Sequence, residues 1–400
     1  MATHGSGPLA GMRVLELAQI MAGPTCGMLL ADMGADVIKV EKLPGGDDSR
    51  GYRDPRVNGV SAPFLILNRN KRGLALDLKK PQGREVLLRM VKTADVLTEN
   101  YRAGTLEKFG LGYDVLSQVN PGLIYCAVSG YGRTGPYADK GGFDLIAQGF
   151  SGLMSITGEP GGPPLKTGNS VADINAGILA ATGILAAYAH KLKTGQGQVV
   201  DTSLMEAALQ QTYWQAAIYF ATGASPGPTG SAHVLTAPYQ AFRTADGWIN
   251  IGGANQANWE RIADVLGHPE WKADPRFATN SDRMRNLSAL AEAMTAVLAT
   301  RTRAEWIERF DAAGVPVGPV HSIGEALEHP QTQARGMVVE VDHVEAGRTR
   351  GIGCPLHFSA TPTVAPQAAP ALGQHSRDVL REYGYADGEI DALLAAGAVA

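Results

Sequence analysis

From Arg13 onward, short runs of branched apolar residues alternate with stretches of helical periodicity. Val14-Leu15-Glu16-Leu17 reads as a strand, 23–33 as a helix and Asp36-Val37-Ile38-Lys39-Val40 as a second strand, together a βαβ unit. The alternation continues through Leu74-Ala75-Leu76-Asp77-Leu78, a helix over 81–93, Asp95-Val96-Leu97-Thr98, and Leu123-Ile124-Tyr125-Cys126-Ala127-Val128. Strands separated by helices predict an α/β fold with a parallel, Rossmann-like sheet.

A Gly/Pro-rich loop over 157–164 leads to an Ala/Leu-rich helix over 173–193, with Gly195 placed to cap its end and Lys191 and Lys193 suited to the negative end of its dipole. A strand over 198–202 and a helix over 205–219 follow, and a polar break at 223–228 marks a domain boundary. Beyond it, Trp248-Ile249-Asn250-Ile251 and helical stretches over 259–266, 286–299 and 303–312 predict a smaller α+β region. Val338-Val339-Glu340-Val341 returns to strand pattern before a Pro/Ala-rich run and a terminal helix.

Composition narrows the class. A chain of 400 residues has room for two domains with real cores. Hydrophobic residues make up 44%, charged residues 18%, and the net charge is −4, which argues against nucleic acid as a partner. Cys26, Cys126 and Cys354 lie far apart, without a CxxC pair or a nearby His, so neither a disulfide framework nor a metal site is expected. The N-terminal MATHGSGPLAGMR has no apolar core of signal-peptide length. The longest apolar stretch, 176–189, contains Gly177, Thr182 and Gly183 and is too short to span a bilayer. A soluble, cytoplasmic protein without a membrane partner is expected.

Several constellations are missing: GxxxxGK[ST], HExxH, and a GxSxG around Ser129, where Ala127 occupies a glycine position. Asn68-Arg69-Asn70-Lys71-Arg72 stands just before a strand, and Lys39 and Lys42 are read at the carboxyl end of the second strand, where ligands of open α/β sheets gather. Such a cluster reads either as a solvated loop or as a site for an anionic nucleotide. Ala22-Gly23-Pro24 opens a helix, through tight packing or close approach to a ligand. Asp173 stands at a helix start, where it either caps the helix or is kept ionised as a nucleophile by helix amides. Local physics leaves both roles open.

Resemblance adds to this. Leu9-Ala10-Gly11-Met12-Arg13-Val14-Leu15-Glu16-Leu17, Ala22-Gly23-Pro24, the stretch 30–41, 68–72, Glu99-Asn100-Tyr101, Gly130-Tyr131-Gly132 with Gly135-Pro136, Gly142-Phe143-Asp144, the Asp173 helix through Gln198, and Leu372-Gly373-Gln374-His375 occur in an order that resembles the class III CoA-transferases, the CaiB/BaiF family. The resemblance spans nearly the whole chain.

It implies a large Rossmann-like CoA-binding domain from residues 1–222 and 331–400, a small domain from 223–330, and an interlocked homodimer. It implies CoA transfer through an aspartyl-CoA thioester on Asp173, with an acyl-CoA and a small carboxylic acid as partners. Coenzyme A is then a substrate rather than a resident cofactor. Asp144 matches an acidic residue beside the nucleophile. Gln19, Ile20, Ala22, Lys42, Asn70, Lys71, Arg72, Asn100, Tyr101 and Lys108 are assigned to the CoA site. Gly252 and Gly253 are candidates for steadying the oxyanion, and His233, Arg50 or Arg53 for meeting a substrate carboxylate.

Two departures count against formyl-CoA transferases: Met21 replaces an important Gln, and their glycine loop is absent between Gly230 and Phe242. α-Methylacyl-CoA racemases of the same fold need a His where Phe143 stands, so Phe143 favours transfer over racemisation. Its other reading is a core aromatic beside a helix start. A CoA-binding protein without chemistry is the third alternative. The wording around 142–144, 151–154 and 238–242 is most similar to transferases that use succinyl-CoA and dicarboxylic acceptors.

Overall fold

The computed structural model describes residues 7–400; the first six residues of the segment read above for a signal sequence lie outside it. Six strands, β1 Arg13–Glu16, β2 Asp36–Glu41, β3 Arg72–Ala75, β4 Val96–Glu99, β5 Ile124–Ser129 and β6 Val199–Ser203, form one wholly parallel sheet. Their order is β3-β2-β1-β4-β5-β6, that of doubly wound dinucleotide-binding folds, and it reverses between β1 and β4. Leu15 lies opposite Ile38 on one side and Leu97 on the other, all three buried, as expected for strands covered on both faces.

The chain divides into two compact units, one of Met1–Ser151, Thr167–Gln211 and Pro330–Ala400, the other of Gly152–Lys166 and Thr212–His329. The second unit is wider than the 223–330 read from the sequence. Segment 152–166 is tied into it where the Gly230 amide donates to Gly158 O at 2.9 Å. The helix read as continuous over 205–219 is two, Leu204–Leu209 and Tyr213–Thr222, parted by a 3-10 turn at Gln210–Thr212 where the chain leaves the first unit.

In the first unit, α1 Ala22–Asp32 follows β1, and α2 Asp144–Phe150 precedes α3 Val171–Thr194. Gly177 of α3 lets the backbones of α1 and α3 meet: a Cβ there would come within 2.5 Å of Ala22 O and 2.7 Å of Thr25 Cβ. Helix α3 ends at Gly195, φ +75°, with Lys191 paired to Asp95 at 2.7 Å. At 24 residues it is longer than the apolar stretch 176–189 suggested, and by length and composition alone it could cross a membrane. Ala176, Ala180, Ile184 and Ala187 are buried against the neighbouring elements of the unit. The C-terminal segment packs Val379, Leu380, Ile390 and Val399 into the core that holds Leu15, Ile38 and Leu97, and Leu76 bridges Val399.

The second unit holds a three-stranded antiparallel sheet with Trp248–Gly252 in the middle, packed on Trp259, Phe277, Trp306 and Phe310. Trp306 Nε1 donates to Leu298 O at 2.8 Å, so the buried indole is satisfied.

Candidate active site

Open α/β sheets bind ligands beyond the carboxyl ends of their strands, at the reversal of strand order. In the first unit a cavity of about 330 Å³ lies there. Its walls come from 19–22 after β1, Asp48 after β2, 100–103 after β4, 128–130 at the end of β5, 141–143, Leu204 after β6, and Asp173.

Asn100 ties the two central strands together at this edge: the Gln19 amide donates to Asn100 Oδ1 at 2.9 Å, and Asn100 Nδ2 donates to Gln19 O at 2.8 Å. The opposite wall depends on glycine. A Cβ on Gly130 would stand 2.7 Å from Gly142 Cα, and one on Gly142 would stand 2.5 Å from Gly130 Cα, so the two loops pass at backbone distance. Arg102 and Lys140 are exposed at this cavity, and neither forms an ion pair with the described residues. The Lys140 ammonium sits over the Tyr137 ring, 3.5 Å from its centroid.

Asp173 lines the cavity from the first turn of α3. It does not cap the helix. Ser170 is the N-cap and makes no side-chain cap bond, while the Ala172 amide donates to Asp144 Oδ1 at 2.9 Å and the Asp173 amide lies 3.5 Å from the same oxygen. Asp144 is therefore the capping acid, acting across space from the start of α2. Gln148, fully buried one turn along α2, donates through Nε2 to Asp144 Oδ2 at 2.7 Å, and its Oε1 accepts the Thr167 amide at 2.9 Å. Sequence reading overlooked Gln148; the spacing Asp144-x-x-x-Gln148 was the available signal once 144–150 is recognised as helix. The helix end alone does not set the charge state of Asp173. Burial, and then the neighbouring Asp144, push its carboxyl up to about 7.

The residues assigned to the CoA site separate. Gln19, Ile20, Ala22, Asn100 and Tyr101 line the cavity with Asp173 and Phe143. Phe143 is 71% exposed at the N-cap of α2, so it is not a core aromatic. Lys42 and Lys108 are exposed, Lys42 being paired with Asp48.

Asn70, Lys71 and Arg72 are engaged internally and border a different hollow, with His375 and Gln374. Asn70 Nδ2 donates to Asp32 at 2.7 Å, Arg72 pairs with Asp36 and Glu382, and the buried Lys71 ammonium meets Glu16, Pro24 O and Asn68. Burial draws Lys71 down to about 8 although Glu16 opposes it. Lys39 lies inside β2 rather than beyond it, fully buried on Glu16 (3.0 Å) and Asp47 (2.8 Å). Arg50 is bound to Glu41 and to Pro370 O.

Gly252, Gly253 and His233 belong to the second unit. The Gly252 amide already donates to Pro316 O and the Gly253 amide to Pro238 O, so neither is free for an oxyanion. His233 Nδ1 accepts the Leu235 amide, and its ring meets Trp214 and Tyr239 edge-on.

The sequence pattern of CoA-transferase family III matches residues 9–376. The chain is 40% identical over 381 residues to the succinate–glutarate CoA-transferase of Agrobacterium fabrum, covering 94% of this chain and 95% of that one. It is 36% identical over 393 residues to the succinyl-CoA:glutarate CoA-transferase of Mus musculus, covering 98% and 90%. A solved CaiB/BaiF family protein from Brucella suis superposes with a TM-score of 0.85 at 38% identity, covering 95% of this chain and 100% of that one. A carboxylate-bearing cavity at the strand-order reversal of a six-stranded parallel sheet, with similarity along almost the whole chain, has one reading: the protein is an enzyme of CoA-transferase family III.

Proposed function

We propose that this enzyme moves CoA from succinyl-CoA, or a similar dicarboxyl thioester, to a second carboxylic acid through a thioester on Asp173. The observation that carries the reading is the position of Asp173: a carboxylate that accepts no hydrogen bond from the described residues, opening into the cavity beside two unpaired cations, Arg102 and Lys140.

The ionised carboxylate attacks the thioester carbonyl, and CoA thiolate leaves to give a mixed anhydride. The thiolate attacks the aspartyl carbonyl, releasing the donor acid and leaving aspartyl-CoA. The acceptor carboxylate then attacks that thioester, thiolate leaves again, and its attack on the acceptor carbonyl forms the new acyl-CoA and restores Asp173. Acyl activation is conserved at every stage, held alternately as a thioester and as a mixed anhydride, so one covalent residue serves both halves. With Gly252 and Gly253 already bonded, the amides of 141–143, which donate to no described group, are the donors offered to the oxyanions.

Phe143 at the cavity cannot exchange an α-proton, which weighs against racemisation. The dicarboxylate preference rests on the names of the relatives. Self-association as an interlocked homodimer and a cytoplasmic setting complete the proposal. Incubation with succinyl-CoA and a panel of mono- and dicarboxylic acids is expected to yield new acyl-CoA species by mass spectrometry, with dicarboxylates ahead. No transfer to any acid of the panel would refute the substrate reading.

A further inference from the structure

We propose that Asp47 is a positioning residue for the substrate cavity: it holds Ile20 in the left-handed backbone conformation that shapes the cavity wall next to Gln19. The inference rests on reading that cavity as the CoA site.

Ile20 has φ +66°. A β-branched residue resists this region, because its side chain crowds the backbone, so something must hold it there. Ile20 lines the cavity between Gln19, which Asn100 clamps, and Met21, where the chain turns into α1. Its amide points at a single carboxylate, lying 3.1 Å from Asp47 Oδ1 and 3.2 Å from Oδ2.

Asp47 is only 1% exposed and is itself pinned. It accepts from the Ser49 amide at 2.9 Å and the Ser49 hydroxyl at 2.7 Å, and it meets Lys39 Nζ at 2.8 Å. Lys39 is in turn anchored on Glu16 and Ala18 O, both from β1 and its exit. Asp47 thus couples the loop after β2 to the loop after β1, one residue on from the point where Asn100 holds the same loop. Binding energy is not consumed in shaping the turn when the turn is already held; a protein populating it only part of the time binds more weakly in proportion.

Isothermal titration of the full-length protein with CoA tests this. Asp47→Ala, which leaves the Ile20 amide without its acceptor, is expected to weaken CoA binding at least tenfold. Adding Ile20→Gly to that variant is expected to recover at least threefold, because glycine enters the left-handed region freely. A merely structural role for Asp47 would show no such rescue. Should Asp47→Ala fail to fold, Ile20→Pro decides, since proline has no N–H to donate and cannot adopt positive φ. With Asp47 intact, Ile20→Pro is expected to weaken binding at least tenfold. Wild-type affinity in Asp47→Ala or Ile20→Pro, or simply additive losses in the double variant, would overturn the inference alone. A wild-type protein that binds no CoA would overturn the reading of the cavity and this inference with it.

Discussion

Asp144 caps the helix that carries Asp173: its Oδ1 accepts the Ala172 amide at 2.9 Å and lies 3.5 Å from the amide of Asp173 itself. One acid spends its charge on the helix end, and the other is left with a free carboxylate at the cavity. The pair divides two tasks that sequence reasoning had placed on Asp173 alone.

Removing the charge of Asp144 should therefore do two things at once. Asp144→Asn keeps an oxygen for the Ala172 amide and removes the repulsion on Asp173, so the apparent pKa governing transfer should fall. Asp144→Ala also loses the cap, at a cost of about 1 kcal/mol of stability. Urea unfolding and a pH–rate profile of both variants check these outcomes.

In the proposed mechanism Asp173 must be ionised to attack, and burial raises its carboxyl to about 7, so kcat/KM should climb with pH through an apparent pKa near that value and level off above it. A flat profile between pH 5 and 8 would mean that Asp173 titrates in the ordinary carboxylate range of about 4.

The same shift bears on stability. The folded pKa of Asp173 lies above its unfolded value, so the folded state holds the extra proton and loses stability as pH rises between about 4 and 7. Asp173→Asn removes that penalty. It should raise stability by about 1–3 kcal/mol at pH 8 and leave it nearly unchanged at pH 4. Thermal unfolding at the two pH values distinguishes this from a uniform effect of the substitution.

Much of the fold could be read in advance because its signals are local. Val14-Leu15 and Val96-Leu97 are strands by pattern alone, and Gly195 ends α3 where its position suggested. The site was harder, because its key relations join residues far apart in the chain. Lys71 resembles a free phosphate-binding cation until Glu16, 55 residues earlier, is seen to hold it. Asp144 reaches the α3 amides across 28 residues, so its capping role does not show in a local window, although the i, i+4 support from Gln148 does. Gly252-Gly253 looked available for an oxyanion because sequence cannot show that Pro316 and Pro238 already accept their amides.

The central claim is that Asp173 carries the thioester, and it is tested most directly by trapping. The protein is mixed with succinyl-CoA, quenched, treated with hydroxylamine and digested, and the peptide spanning 173 is weighed. The account predicts a hydroxamate on Asp173 that depends on the acyl-CoA and is absent from Asp173→Ala, which transfers no CoA. An unmodified Asp173 during active turnover, or wild-type transfer by Asp173→Ala, would contradict it.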